Sequence, residues 1–231
     1  MKHCLKKHCL LLTPVLLLFG CGDHVEQYTM PDQVTDFTAL FEGNCAGCHG
    51  HDGRLGAARP LNDPVFLAVV GKQLRQIITN GVPKTPMPAF GKTAGGDLTE
   101  QQIAILADQI IQRWSRPRDF TAVALPPYSA DLGDAKAGAN VFRTHCVSCH
   151  GEEGGGGPKA GSVVDLSYLA LVSDQSLRSD VIAGRSDRGA PDWRSASTGH
   201  PLTPPEISNV VAWISGHRTP INLTQRGTNL P

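Results

Sequence analysis

Aromatic side chains are scarce in this sequence, 6% of the total, and methionine occurs three times in 231 residues. Glycine (25) and proline (17) are abundant instead, which points to short helices joined by irregular loops. No excess of either charge exists: 21 basic residues face 21 acidic ones. Residues 31–116 carry eight of each, and 132–219 carry eight basic and nine acidic. Neither half therefore has the positive bias that nucleic-acid binding requires. A long apolar run is also missing. Leu10 to Phe19 is too short to span a bilayer and is interrupted by Thr13 and Pro14. There is no G-x-S-x-G, no Walker loop and no zinc-protease motif. No amino-acid constellation marks an enzyme.

The length suits two small domains, and 40% hydrophobic residues suffice for globular cores. Small loop-rich domains need a staple such as a metal or cofactor. At the N-terminus, Lys2, Lys6 and Lys7 precede the apolar run, so residues 1–20 read as a secretory signal. The run ends in LLFGCG, where Gly20 followed by Cys21 is similar to a bacterial lipoprotein signal. Cleavage before Cys21 and its lipidation are expected, holding the chain at a membrane surface in the periplasm or at the cell surface. The alternative is a plain signal or an uncleaved anchor with an incidental cysteine. Residues 21–30 then form a tether.

Beyond Cys21 four cysteines remain, in CAGCH (Cys45, Cys48, His49) and CVSCH (Cys146, Cys149, His150). An exported chain can pair four thiols as disulfides, or use them to hold zinc. The histidine that follows each pair favours a third chemistry, because C-x-x-C-H is the attachment signature of c-type haem. Two thiols on one helical turn reach the two vinyl groups of one porphyrin, and the next residue projects its imidazole at the iron. Two covalent haem c groups are expected.

Both motifs run into glycine-rich loops, CHGHDGRLGAARPL and CHGEEGGGGPKAG, each with a proline, Pro60 and Pro158. Here the chain resembles the class I cytochrome c family. The resemblance implies that the carbonyls of Pro60 and Pro158 orient His49 and His150. It extends along a repeat. A helix precedes each motif, with Phe37, Leu40 and Phe41 at helical spacing in one copy, and Asp134 as cap with Val141 and Phe142 in the other. A mid-domain helix ends at Gly81 or Gly184. A last helix opens with a capping box, Thr99 with Gln102, or Thr203 with Glu206 behind Pro204. The offset between copies is 101 at the cysteines, 103 at the glycine and 104 at the threonine. The expected architecture is all-α: two tandem cytochrome c-type helical domains at 31–116 and 132–219, a linker at 117–131 and a tail at 220–231.

In the class I family a methionine before the last helix supplies the sixth iron ligand, and Met87 in KTPMPAFG stands there, between Pro86 and Pro88. Ala190 matches it in the second copy, and the other methionines, Met1 and Met30, lie in the signal and the tether. The second iron is therefore open, water-bound, or reached by His200; Lys159 and His217 are poorer candidates by position. His51 and His145 read as a surface residue and a lining residue. The resemblance implies a di-haem electron carrier serving a cytochrome, an oxidase or a dehydrogenase. Its rivals are a haem enzyme that reduces a small substrate at the second iron, and a gas-binding haem protein.

Overall fold

The computed structural model describes residues 29–195 and 200–218. Cys21, the signal region and the tail at 220–231 lie outside them, as do residues 196–199. The first unit contains α1 (Phe37–Asn44), α2 (Ala46–His49), α3 (Pro64–Val70), α4 (Leu74–Asn80) and α5 (Glu100–Trp114). The second contains α6 (Ala135–His145), α7 (Val147–His150), α8 (Leu166–Leu171), α9 (Asp174–Ala183) and α10 (Pro204–Ser215). No strand occurs among the described residues; the two isolated bridges are Gly91 with Leu98 and Arg185 with Ala190. The described residues are helical, as the repeat predicts.

Side chains set the helix starts. Asp36 Oδ1 accepts the Ala39 N–H at 2.8 Å, and Asp134 Oδ1 accepts the Ala137 N–H at 3.0 Å. Thr99 and Gln102 form the expected capping box, as do Thr203 and Glu206. Gln102 is buried and also donates to the carbonyls of Pro31 (2.8 Å) and Val34 (3.0 Å), fastening the incoming chain to α5. Two further short helices, α3 and α8, lie outside the helices that the repeat predicts. Each begins at an aspartate cap, Asp63 or Asp165, and each is too short for its period to show.

In both units the first helix packs on the last, and this pair carries the core. In the first, Phe37 and Phe41 meet Trp114 edge-on, with ring centroids 6.3 and 5.4 Å apart. In the second, Phe142 lies 4.2 Å from Trp213. The α6–α10 crossing is closer, because Gly138 has no side chain: a Cβ there would fall on the Asn209 carbonyl oxygen. Asn209 Oδ1 accepts the Asp134 N–H at 2.8 Å and closes the same junction.

The linker is more ordered than its prolines suggest. Pro117–Phe120 forms a 3-10 turn, Phe120 is buried, and the Arg194 guanidinium lies 5.2 Å from its ring. Farther on, the carbonyls of Pro127 and Tyr128 accept from Arg178 (3.0 Å) and Gln175 (2.8 Å) of α9. Arg178, almost fully buried, also donates to Ser208 of α10 at 3.0 Å, and its burial pushes its pKa down.

Candidate haem-binding sites

Each C-x-x-C-H segment is a single helical turn that departs from the helix before it at the first cysteine. The Cys45 N–H still donates to Phe41, and the Cys146 N–H to Phe142, both at 2.8 Å. The amides of Cys48 and His49 then return to the Cys45 carbonyl at 3.2 and 2.9 Å. Those of Cys149 and His150 return to Cys146 at 3.1 and 2.9 Å. Two sulfurs and an imidazole thus share one turn, twice. All four thiols are free. Among the described residues no group of three or more His, Cys, Asp or Glu side chains is placed to hold a metal ion. The disulfide and zinc readings therefore find no support in the geometry. Burial, then the neighbouring Cys48, pushes the Cys45 thiol up to about 11; burial and Cys149 do the same to Cys146.

The imidazoles are oriented by backbone. His49 Nδ1 lies 2.7 Å from the Arg59 carbonyl, and His150 Nδ1 lies 2.9 Å from the Gly161 carbonyl. With the proton on Nδ1 donated there, Nε2 presents its lone pair to a metal. Burial holds His49 below the ordinary histidine range, opposed by the hydrogen bond to Arg59 and aided by the charges of Arg59 and Arg185. These contacts correct the expectation that Pro60 and Pro158 supply the carbonyls. Pro60 is one residue late; its ring confines Arg59 to extended backbone and so aims the carbonyl of the preceding residue. Pro158 is exposed, three residues before the true acceptor, in a turn closed by Gly157 N–H to the Ala160 carbonyl at 2.9 Å. The acceptors lie ten and eleven residues past the histidines, and this added residue begins the widening of the repeat offset beyond the cysteines.

The loops after α4 and α9 share one register. Gly81 (φ +67°) and Gly184 (φ +68°) end these helices with left-handed backbone. A Cβ on Gly81 would stand 2.5 Å from the Pro88 carbonyl carbon, and one on Gly184 would meet the Pro191 carbonyl oxygen. The Val82 N–H donates to the Met87 carbonyl at 3.1 Å, and the Arg185 N–H to the Ala190 carbonyl at 3.2 Å. Ala190 therefore occupies the place of Met87 by hydrogen bonding as well as by alignment. In the first loop Thr85 Oγ1 donates to Val82 (2.8 Å) and accepts the Met87 N–H (3.2 Å). In the second, Ala190 N–H returns to Arg185 at 3.0 Å.

The other histidines are engaged elsewhere. His200 stands edge-on to His145, with centroids 6.0 Å apart, and its Nδ1 lies 2.9 Å from the Pro201 carbonyl. His145 Nδ1 is buried without a hydrogen-bond partner. His51 meets Glu42 at 2.9 Å, and His217 meets the Trp213 carbonyl at 2.9 Å. Paired thiols on one turn, with an imidazole held through Nδ1 by a backbone carbonyl, form the donor set that a covalently attached haem needs. The residues present fit that group at both motifs.

A family model described as cytochrome c oxidase, cbb3-type, subunit III matches residues 32–109 and 133–214. The chain is similar to the cbb3-type cytochrome c oxidase subunit FixP of Bradyrhizobium sp. (strain ORS 278), 31% identical over 64% of this chain and 50% of that one. It is similar to subunit CcoP of Cereibacter sphaeroides, 25% identical over 77% and 59%, and to subunit CcoP of Azospirillum sp. (strain B510), 33% identical over 53% and 41%. The chain thus spans about half the length of these curated relatives.

Proposed function

Because this chain belongs to the family of cbb3-type cytochrome c oxidase subunit III, we propose that it is a di-haem cytochrome that passes electrons between a donor and a terminal oxidase. The two imidazole–carbonyl pairs carry the reading, since each C-x-x-C-H turn presents a histidine whose Nδ1 is engaged by a backbone carbonyl. A bound haem c supplies a one-electron iron couple at each site. Cys45 and Cys48 would hold the first haem and Cys146 and Cys149 the second, with His49 and His150 each offering an imidazole to the iron. Met87 would offer its thioether to the first. Its loop is braced by Thr85 and flanked by Pro86 and Pro88, so the thioether needs little reorganisation to bind. Ala190 offers no donor atom, so the second iron would gain no side-chain ligand from this loop, and would be open or water-bound unless His200 left His145 to reach it. A pyridine haemochrome measurement on protein of known concentration should report two haems per chain; one would remove the second site.

The relatives named as oxidase subunits make an oxidase the favoured partner, ahead of a soluble cytochrome or a dehydrogenase. Among the described residues no helix is long and apolar enough to cross a membrane. The attachment proposed is a lipid on Cys21, with the domains in the periplasm or at the cell surface. Cys21→Ser should move the protein to the soluble fraction or stall its processing; unchanged fractionation sinks the anchor.

The second reading, a haem site that binds a gas or reduces a small substrate, draws on Ala190 alone. It is favoured if the reduced protein turns over peroxide or an oxidised nitrogen or sulfur compound.

A further inference from the structure

The loop that carries Met87 in the first unit has a different employment in the second. Its turn, Ser186–Arg188, faces the first unit. Ser186 Oγ donates to Asp63 at 3.1 Å, Asp187 accepts the Leu55 N–H at 3.3 Å, and Arg188 donates to the Gly56 carbonyl at 3.3 Å. One turn earlier, on α9, Asp180 forms an ion pair with Arg59. All four partners lie in the loop behind His49, and Arg59 is the residue whose carbonyl holds the His49 ring.

The Arg59 side chain is 14% exposed, lies over the Phe66 ring at 4.7 Å, and has one guanidinium nitrogen without a partner. A guanidinium this enclosed needs a counter-charge, and losing the counter-charge leaves an uncompensated cation. Among the described residues Asp180 is the carboxylate that pairs with it. Asp180 also takes a hydrogen bond from Tyr168, so its carboxylate is fixed from its own side.

We propose that Asp180 of the second unit is a positioning residue for the first haem, fixing Arg59 and through its carbonyl the ring and electron richness of His49. This rests on the reading of His49 as an axial ligand. Two effects act in one direction. An unpaired cation near the iron favours the reduced form. A slackened Nδ1–H bond makes the imidazole a poorer donor and does the same. Asp180→Asn should therefore raise the midpoint potential of the first haem and shift the second by less.

The test is a spectroelectrochemical titration of the full di-haem protein. The double change Cys45→Ser, Cys48→Ser identifies the first haem as the signal that disappears; if no signal disappears, the haem reading fails and this proposal with it. With the signal identified, an upward shift in Asp180→Asn, little shift in Tyr168→Phe and recovery in Asp180→Glu support the proposal. Arg59→Met keeps the backbone carbonyl and removes the cation, so Asp180→Asn added to it should have no further effect on the first haem. An unchanged potential in Asp180→Asn overturns the proposal, as does an equal shift of both haems or full additivity with Arg59→Met. If Asp180→Asn does not fold, Arg59→Met alone decides: a first-haem potential identical to the parent's overturns it.

Discussion

The loops at Met87 and at Ala190 are the same backbone solution put to two uses. Both leave a helix through a left-handed glycine, both close with an N–H to carbonyl bond five residues apart, and both then pass the glycine with a proline. The first loop is braced internally by Thr85 and ends in a thioether. The second is braced by the Arg185–Asp187 ion pair (3.0 Å) and by contacts with the first unit, and ends in a methyl group. One backbone frame thus presents a thioether in the first unit and a set of contacts with the other unit in the second.

The sharpest way to break this comparison is to exchange the two residues. Met87→Ala should abolish the methionine–iron charge-transfer band and raise CO binding by the reduced protein from one haem per chain to both. Ala190→Met should produce a second methionine-ligated spectrum and suppress CO binding. His200→Ala should leave the spectrum unchanged if His200 stays against His145; two methionine signatures in the unaltered protein would refute the pairing of Met87 with Ala190.

A smaller effect probes the shared frame. Gly184→Ala meets both a left-handed φ and the Pro191 carbonyl, and should cost on the order of 2 kcal/mol or more in chemical denaturation. Gly189 has φ +78° but open space around it, so Gly189→Ala should cost only the conformational part, about 1 kcal/mol. Equal losses at the two positions would mean that proline contact does not hold the loop.

The smallest effect compares the units without haem. The Cys45 and Cys146 thiols are both raised to about 11, so burial stabilises the neutral form in the folded apo-protein. That stability is fully present below the ordinary thiol value of 9.0 and fades as pH rises towards 11. Iodoacetamide should alkylate both slowly at neutral pH and faster above pH 9; rapid modification at pH 7 would show that one turn is unformed without haem.

The repeat was readable because its markers are chemical: two C-x-x-C-H turns, two capping boxes and two helix-ending glycines each require a residue type at a place. The histidine acceptors were not. Arg59 and Gly161 act through carbonyls, which every residue has, and Pro60 misleads by directing its neighbour's carbonyl instead of its own. Helices α3 and α8 escaped notice because they last about two turns or fewer. The pairing of Asp180 with Arg59 joins side chains 121 residues apart, and no local pattern announces it.

The α6–α10 crossing also sets an order of events. Gly138 and Asp134 close on Asn209, seventy or more residues downstream, so this clasp forms only after nearly all the second unit has been synthesised. Cys146 and Cys149 emerge long before it. Until then α6, the helix that leads into their turn, lacks the partner on which it packs in the folded chain. A chain ending before Thr203 would leave α6 without that partner.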